Sequence, residues 1–242
     1  MPLLELRNVS KRFGGVAAVR EVSLDVNAGE ICGLMGANGA GKTTLFSLIA
    51  GHSKPDAGEI RFDGKSIEHL SPDRICRLGI GRTFQIVKPF AGLSVEDNLI
   101  TAAYFGASRH KRRADALAYC HGILDEFDLV GAARQPASTL TLSGQKRLEL
   151  ARAIATGARL VLIDEVMAGL TATEVAAMLG TIRRIQESRR LTLIVIEHVM
   201  RAVMQLAHRI VVLHHGELIA QGDPASIAND PQVLRVYLGE AA

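Results

Sequence analysis

The chain has 242 residues, enough for one large α/β domain or two small ones. Hydrophobic residues make up 48%, so a sizeable core can form, but aromatic residues are 4% with no Trp, so that core must be aliphatic. With 28 basic against 25 acidic residues, the net charge of +3 gives no reason to expect nucleic acid as a partner.

The spacing of the cysteines and the lengths of the apolar runs indicate the redox environment of the protein and its relation to the membrane. Cys32, Cys76 and Cys120 are too widely spaced for a metal site or a disulfide framework, which predicts a reducing interior. The N-terminus lacks a signal-peptide pattern, and no apolar run approaches the roughly 18 residues needed to cross a bilayer. We expect a protein soluble by itself, with any membrane role acquired through a partner.

The first part of the chain predicts a small β-rich layer. Residues 4–9, 22–26 and 58–62 alternate apolar and polar side chains, as half-buried strands do. Asp63-Gly64 then predicts a turn. Residues 31–35 form an uninterrupted apolar segment, which predicts a buried strand among these half-buried ones.

A glycine-rich loop follows that apolar strand and precedes a predicted helix at residues 45–50. The order of strand, loop and helix, with the pattern G-x-x-x-x-G-K-T, is that of a phosphate-binding P-loop. Lys42 can reach the β- and γ-phosphates, and the Thr43 hydroxyl can sit on Mg²⁺. The candidate nucleotide-binding residues of the loop are Gly36, Ala37, Asn38, Gly39, Ala40, Gly41, Lys42, Thr43 and Thr44. Phe13 is a candidate for stacking on adenine, with an ordinary loop aromatic as the alternative.

From about residue 71 to residue 131 the pattern is helical. Ser94 is a predicted N-cap with acids in the following turn, and residues 114–129 carry apolar side chains at helical spacing. The basic run at residues 110–113 is interpreted as a solvated helix start. Gln85, at the border of this region, could touch Mg²⁺ or its water; a solvated polar residue at a strand end is the alternative.

The last part alternates buried strands at residues 160–163 and 191–196 with a helix at 174–190. Asp164 and Glu165 end the first strand, which places Asp164 to hold Mg²⁺ and makes Glu165 a candidate general base. Two solvated acids are the alternative. His198 follows the second strand, where it can bind a phosphate or fix an attacking water; a structural histidine is the alternative.

These pieces, in this order, resemble the ATP-binding subunit of an ABC transporter over nearly the whole chain. The resemblance implies an α/β P-loop NTPase of ABC type, with a mixed β core containing a parallel sheet and an inserted helical subdomain. It further implies one ABC ATPase domain, with residues 1–85 and 138–242 as core and about 86–137 as helical subdomain. Such subunits use ATP and Mg²⁺ in head-to-tail dimers, in which each ATP also contacts the partner's signature segment. The signature candidates, just before a predicted helix at residues 146–155, are Thr141, Ser143, Gly144 and Gln145.

A closer resemblance points to the LivG-type group of branched-chain amino-acid importers. It rests on residues 79–85, on Glu197-His198-Val199-Met200 and on the ending at 236–240. It implies an energy-coupling subunit at the cytoplasmic face of the membrane, with two permease subunits and a separate solute-binding protein. Lipopolysaccharide-export ATPases share the ending and are the main alternative. An ABC ATPase acting on DNA or ribosomes, or a P-loop kinase, fits less well.

Three features depart from the family pattern. The signature segment can be aligned with that pattern in two registers. The gapless register places Thr141 at the Ser position and Ser143 at the second Gly, whereas the direct register keeps Leu142-Ser143-Gly144-Gln145 but drops one Gly. Val166 stands where the family usually has Pro, and Thr171 where Asp or Asn is usual. We therefore expect a heterodimer with a related ATPase and unequal sites, with a homodimer as the alternative.

Overall fold

The computed structural model describes residues 1–84 and 89–238, the side chains of 237 and 238 excepted. This part of the chain forms two compact units, one built from residues 1–72 together with those from 192 onward, the other from residues 73–191. The predicted helical subdomain at about 86–137 falls within the second unit, and its bounds stay a prediction.

The strands are β1 (Leu4–Phe13), β2 (Val16–Val26), β3 (Ile31–Met35), β4 (Ala57–Phe62), β5 (Lys65–Ser66), β6 (Ile80–Arg82), β7 (Leu160–Asp164), β8 (Thr192–Ile196), β9 (Arg209–His214) and β10 (Glu217–Gly222). The helices are α1 (Lys42–Ile49), α2 (Pro72–Leu78), α3 (Val95–Phe105), α4 (Arg113–Glu126), α5 (Leu142–Ala155), α6 (Ala172–Arg189), α7 (Met200–Leu206), α8 (Pro224–Ala228) and α9 (Pro231–Leu238). Two short 3₁₀ turns lie at Val130–Ala132 and Ala137–Thr139.

The first unit contains an antiparallel sheet in the order β2-β1-β4-β5 and a second set of strands in the order β10-β9-β3-β8. In the second set β3 runs parallel to both β8 and β9. Every residue of β3 and β8 is buried, which confirms that their apolar runs are covered on both faces. Helix α7 packs closely on β3, because a Cβ on Gly33 would lie 2.5 Å from a Val203 methyl carbon.

The second unit pairs β6 with β7 in parallel, starting at Ile80 opposite Leu160. The helical interpretation of residues 71–131 is therefore wrong at 80–82, where three residues form a strand too short for a periodicity to reveal. Ser94 caps α3 as predicted, its hydroxyl accepting a hydrogen bond from the Asp97 N–H. Helix α3 packs against α4 and α5.

Cys32, Cys76 and Cys120 are free thiols. Cys32 and Cys120 are buried, and burial raises the pKa of the Cys32 thiol to about 12, so it stays protonated and unreactive at neutral pH. Within residues 1–84 and 89–238, the helices are all too short or too polar to cross a bilayer.

Candidate functional site

The glycine loop has a backbone that side chains would not tolerate. Gly36 has a φ of 150° and Gly41 a φ of 104°. A Cβ on Gly36 would lie 2.3 Å from the Leu213 carbonyl oxygen, and one on Gly41 would lie 2.3 Å from the Ala18 carbonyl oxygen. The pattern of glycines in the sequence therefore reflects close approach of neighbouring backbone at both ends of the loop.

Lys42 closes the loop from inside. Its ammonium donates hydrogen bonds to the carbonyl oxygens of Gly36 at 2.7 Å and Ala37 at 3.0 Å, and the residue is 7% exposed. Helix α1 begins at the same residue, with Gly41 as an N-cap that supplies no capping side chain, so backbone N–H groups of the first turn remain for a ligand. Thr43, in that turn, is exposed. The glycine loop, the Lys42 ammonium and the Thr43 hydroxyl together fit the phosphates of a nucleotide.

The turn between β9 and β10 supports the loop from the side. The Gly216 N–H donates to the Ala40 carbonyl at 3.0 Å, and the Gly216 carbonyl accepts from the Arg20 N–H at 2.8 Å. His215 and Gly216 have φ values of 48° and 84°, both in the left-handed region that suits a tight hairpin. Sequence reasoning missed this support, because the hairpin lies more than 170 residues from the loop in the chain.

His198 belongs to the same unit as the glycine loop, and the strand register shows where. In the parallel pair, Ile31 lies opposite Leu193 and Gly33 opposite Val195. Strand β3 ends at Met35 and β8 at Ile196, so the glycine loop and His198 follow the carboxyl ends of two neighbouring parallel strands. His198 is exposed, whereas Glu197 just before it is buried.

Phe13 also lies in this unit, at the end of β1 just before the Gly14-Gly15 turn. Its side chain is 55% exposed, and the Lys11 ammonium lies 5.5 Å from the ring centroid. An exposed ring face at a strand end can stack on a base, and the neighbouring cation adds a modest attraction to the ring.

The acidic end of strand β7 lies in the second unit, and Asp164 there is held by two contacts. Asp164 is 2% exposed, and its carboxylate pairs with Arg82 at 3.1 Å. Its backbone N–H donates to the Thr83 hydroxyl at 2.9 Å. Two consecutive residues, Arg82 at the end of β6 and Thr83 just after it, therefore fix the aspartate from both its side chain and its backbone. Neither contact was predicted from the sequence.

Glu165 has a φ of 52°, uncommon for a residue with a side chain. The Lys146 ammonium donates to its backbone carbonyl at 3.2 Å, and Lys146 is 3% exposed. A non-glycine residue in the left-handed region costs roughly 1–3 kcal/mol, whereas a hydrogen bond to a charged group contributes about 1.5–3 kcal/mol. This single bond is therefore large enough to offset the strain.

The signature segment forms the start of α5. Thr141 is the N-cap, its hydroxyl accepting from the Gly144 N–H at 3.2 Å, and the helix begins at Leu142 rather than at the predicted residue 146. A hydroxyl residue at the cap is what the gapless register requires of its serine position. Gln145 folds back, donating to the Leu140 carbonyl at 3.0 Å, and the Leu142 side chain is 48% exposed.

The two other departures also lie in the second unit. Val166 is fully buried. Thr171 caps α6 in a reciprocal capping box with Glu174: its hydroxyl accepts from the Glu174 N–H, and the Glu174 carboxylate accepts from the Thr171 N–H. The threonine at this position therefore stabilises the start of α6.

Glu149, in the middle of α5, is a further residue that sequence reasoning missed. It is 5% exposed, and its carboxylate accepts the backbone N–H of Phe84 at 2.5 Å. Burial raises the pKa of this carboxyl above its usual range, and the Phe84 N–H and the cations of Lys146 and Arg152 only partly oppose that effect. The helical periodicity of the sequence predicts where such a glutamate lies on its helix, but it does not predict which group the carboxylate contacts.

The predicted site residues thus fall into two groups, each within one unit. The first contains the glycine loop, Phe13 and His198; the second contains Asp164, Glu165 and the signature segment. Gln85 lies outside the described residues. Within the described ranges, no cluster of three or more His, Cys, Asp or Glu side chains is spaced to hold a metal by itself.

A glycine loop between a buried strand and a helix, with its lysine folded over the loop carbonyls, defines a P-loop nucleotide-binding protein. The comparisons with known proteins refine this class. Residues 19–168 match the family described as ABC transporter, and residues 217–242 match the family described as branched-chain amino acid ATP-binding cassette transporter. The chain therefore belongs to the ABC transporter family, as an ATP-hydrolysing subunit whose turnover is coupled to transport.

Individual relatives are similar along their full length. The high-affinity branched-chain amino acid transport ATP-binding proteins BraF of Pseudomonas aeruginosa and LivG of Escherichia coli are each 36% identical over 252 aligned residues, covering 99% of this chain and 99% of each relative. The crystal structure of the ADP conformation of MJ1267, an ATP-binding cassette of an ABC transporter, matches with a TM-score of 0.89 at 28% identity. That match covers 99% of this chain and 100% of MJ1267.

Proposed function

We propose that this chain binds ATP at residues 36–44 and uses its hydrolysis to energise the import of branched-chain amino acids or related small solutes. The observation that supports ATP binding is the geometry of the loop, in which Gly36 and Gly41 leave no room for a side chain and Lys42 is buried over the loop. The cargo is proposed from the similarity to BraF and LivG and from the C-terminal family match.

Within the first unit, each proposed role follows from position. Lys42 moves its hydrogen bonds from the loop carbonyls to the β- and γ-phosphate oxygens, and the N–H groups of the loop and first helical turn complete the cradle. Thr43 offers a hydroxyl for Mg²⁺, and Phe13 stacks on the adenine. His198 follows β8 as the glycine loop follows the parallel strand β3, and it hydrogen-bonds the γ-phosphate or the attacking water.

Within the second unit, Asp164 is proposed to hold Mg²⁺, mainly through water, and Glu165 to accept the proton of the attacking water. Mg²⁺ prefers oxygen ligands, and the Thr43 hydroxyl, the Asp164 carboxylate and the proposed Gln85 amide each offer an oxygen of that kind. When bound, Mg²⁺ neutralises negative charge on the phosphate oxygens. Lys146 and Arg82 hold the two acids in orientation beforehand.

The active assembly is proposed to be a head-to-tail dimer with a second ABC ATPase, in which the signature residues Thr141, Ser143, Gly144 and Gln145 contact the partner's ATP. An exposed Leu142, at a position where the gapless register expects glycine, limits how closely a phosphate can approach the helix start. This supports unequal sites in a heterodimer. Two permease subunits and a solute-binding protein complete the proposed transporter, with this chain peripheral at the cytoplasmic face.

The test is transport by the assembled system. The chain is purified with its co-purifying ATPase and membrane subunits, reconstituted in proteoliposomes, and supplied with binding protein and labelled leucine, isoleucine or valine. ATP-dependent uptake that is lost in Glu165→Gln supports the proposal. Hydrolysis without uptake of any of the three contradicts the cargo. A symmetric, fully active dimer formed by the chain alone contradicts the unequal-site arrangement, and no hydrolysis in any assembly contradicts the proposed function itself.

A further inference from the structure

We infer that Lys146 is a positioning residue that links the signature helix to the proposed general base of the same chain. The inference rests on the proposed role of Glu165. It goes beyond that role by naming the group that sets the direction of the Glu165 side chain, and by giving the signature helix a second task besides contact with the partner's ATP.

The first step is the placement of the ammonium. Lys146 lies on α5 and is 3% exposed, although lysine is one of the residues least often buried. A buried ammonium must be compensated by acceptors, and one of them is the Glu165 carbonyl oxygen at 3.2 Å. Packing alone would favour an apolar residue at this position, so the cation is explained by the contacts that it makes.

The second step is the backbone of Glu165. Its φ of 52° sets the direction of the Cα–Cβ bond, and hence where the carboxylate can reach. Strained conformations of this kind persist only when the surroundings hold them. If the Lys146 bond were lost, Glu165 could relax to an ordinary conformation, and its carboxylate would move away from the position needed to activate water.

The third step is the location of Lys146 on α5, directly after Gln145 and about one turn from the Thr141 cap. When the start of α5 engages the partner's nucleotide, any displacement of the helix carries the ammonium with it. Through the hydrogen bond of Lys146 to the Glu165 carbonyl, such a displacement would reach the Glu165 backbone. By thermodynamic linkage, the orientation of Glu165 in turn biases the signature helix.

The next residue on the helix provides a matched control. Arg147 is also a cation, but it pairs with Asp128 at 3.3 Å, and the Asp128 side chain is 65% exposed. Arg147→Met therefore removes a neighbouring positive charge without touching the Glu165 carbonyl, and we expect turnover within about twofold of wild type because exposed pairs contribute little.

The experiment compares Lys146→Met, Lys146→Arg and Arg147→Met in the assembled transporter, measuring kcat, KM and the Kd for ATP. We expect Lys146→Met to lower kcat by about 10- to 100-fold, the effect of a misplaced catalytic group, while the Kd for ATP stays near wild type. Lys146→Arg, which keeps a donor of similar reach, should recover most of the loss. If Lys146→Met does not fold, Lys146→Gln replaces it, because its amide is too short to reach the Glu165 carbonyl.

A double variant separates this inference from the proposed function. If Lys146 acts through Glu165, adding Lys146→Met to Glu165→Gln should cause no further loss of the residual turnover. A full additional loss, or a wild-type kcat in Lys146→Met, would overturn the inference. Wild-type turnover in Glu165→Gln alone would instead overturn the proposed role of Glu165.

Discussion

At the level of single residues, the glycine loop is the part of the site that the sequence predicts best. Its function requires particular residue types at fixed spacing, and neither Gly36 nor Gly41 could be replaced without moving backbone. The positioning contacts are different. Arg82 and Lys146 could not be assigned to Asp164 and Glu165 from sequence, because they lie 82 and 19 positions away along the chain and only tertiary structure brings them together.

Gly41→Ala should disrupt the loop. The new Cβ would lie 2.3 Å from the Ala18 carbonyl oxygen in a backbone with a φ of 104°, so strain and overlap add. We expect a loss of stability of about 2 kcal/mol or more together with loss of ATP binding, measured by urea unfolding and by nucleotide titration. Gly39→Ala is the control, since its φ of 79° is strained but no atom lies within 4 Å of the new Cβ. Equal effects of the two variants would contradict the role assigned to close approach at Gly41.

Arg82→Met should leave the buried Asp164 carboxylate without one of its charge partners. The Arg82 and Asp164 side chains are 10% and 3% exposed, and breaking such a buried pair typically costs about 3–5 kcal/mol. Urea unfolding measures the loss. Arg61→Met is the control, because its pair with Glu59 is exposed on both sides and should contribute less than about 1 kcal/mol. A loss no larger than that of the control would show that Arg82 does not compensate Asp164.

At the level of elements, long apolar strands and capped helices were predictable, and short elements were not. The buried runs of β3, β7 and β8 and the Ser94 cap of α3 are confirmed. Strand β6 was missed because three residues carry no period, and the start of α5 was predicted four residues late because the altered signature obscures its cap. Strand β6 is defined by its tertiary pairing with β7, whereas the start of α5 is set locally by the Thr141 cap.

The burial of Glu149 on α5 should make stability depend on pH in a defined direction. Burial raises the pKa of the Glu149 carboxyl above its ordinary value of 4.5, so in this range the folded state binds the proton more tightly than the unfolded state. The contribution of Glu149 to stability therefore falls as pH rises from about 4.5 through the folded pKa, and stays low above it.

Glu149→Gln isolates this effect, because the amide oxygen can still accept the Phe84 N–H but no longer titrates. We expect the unfolding free energy of wild type relative to Glu149→Gln to decrease between pH 4.5 and neutral pH. Denaturant unfolding at each pH measures this difference. A difference independent of pH, or one that increases toward neutral pH, would contradict the raised pKa. Glu174→Gln is a useful comparison, because hydrogen bonds with Thr171 lower the pKa of the Glu174 carboxyl. The unfolding free energy of wild type relative to Glu174→Gln should therefore change in the opposite direction, increasing as pH rises through the acid range.

At the scale of the whole molecule, the family could be recognised because motifs recur in a fixed order along the chain, and the full-length similarity to BraF and LivG confirms it. The cargo could not be derived from residues in the same way. The catalytic machinery binds ATP, so its side chains carry no chemical imprint of the transported solute. The proposal of unequal sites rests on the signature segment, Val166 and Thr171, and its test requires the partner chain.

The proposed hydrolysis depends on Glu165 as the group that activates water. The most direct measurement is single-turnover ATP hydrolysis by the assembled transporter carrying Glu165→Gln, with ATP binding titrated on the same sample. The account predicts that ATP binds with near wild-type affinity while the hydrolysis rate falls by about 100-fold or more, as expected when a general base is removed. Hydrolysis at the wild-type rate with binding intact would contradict it, and the proton would then have to be accepted by another group.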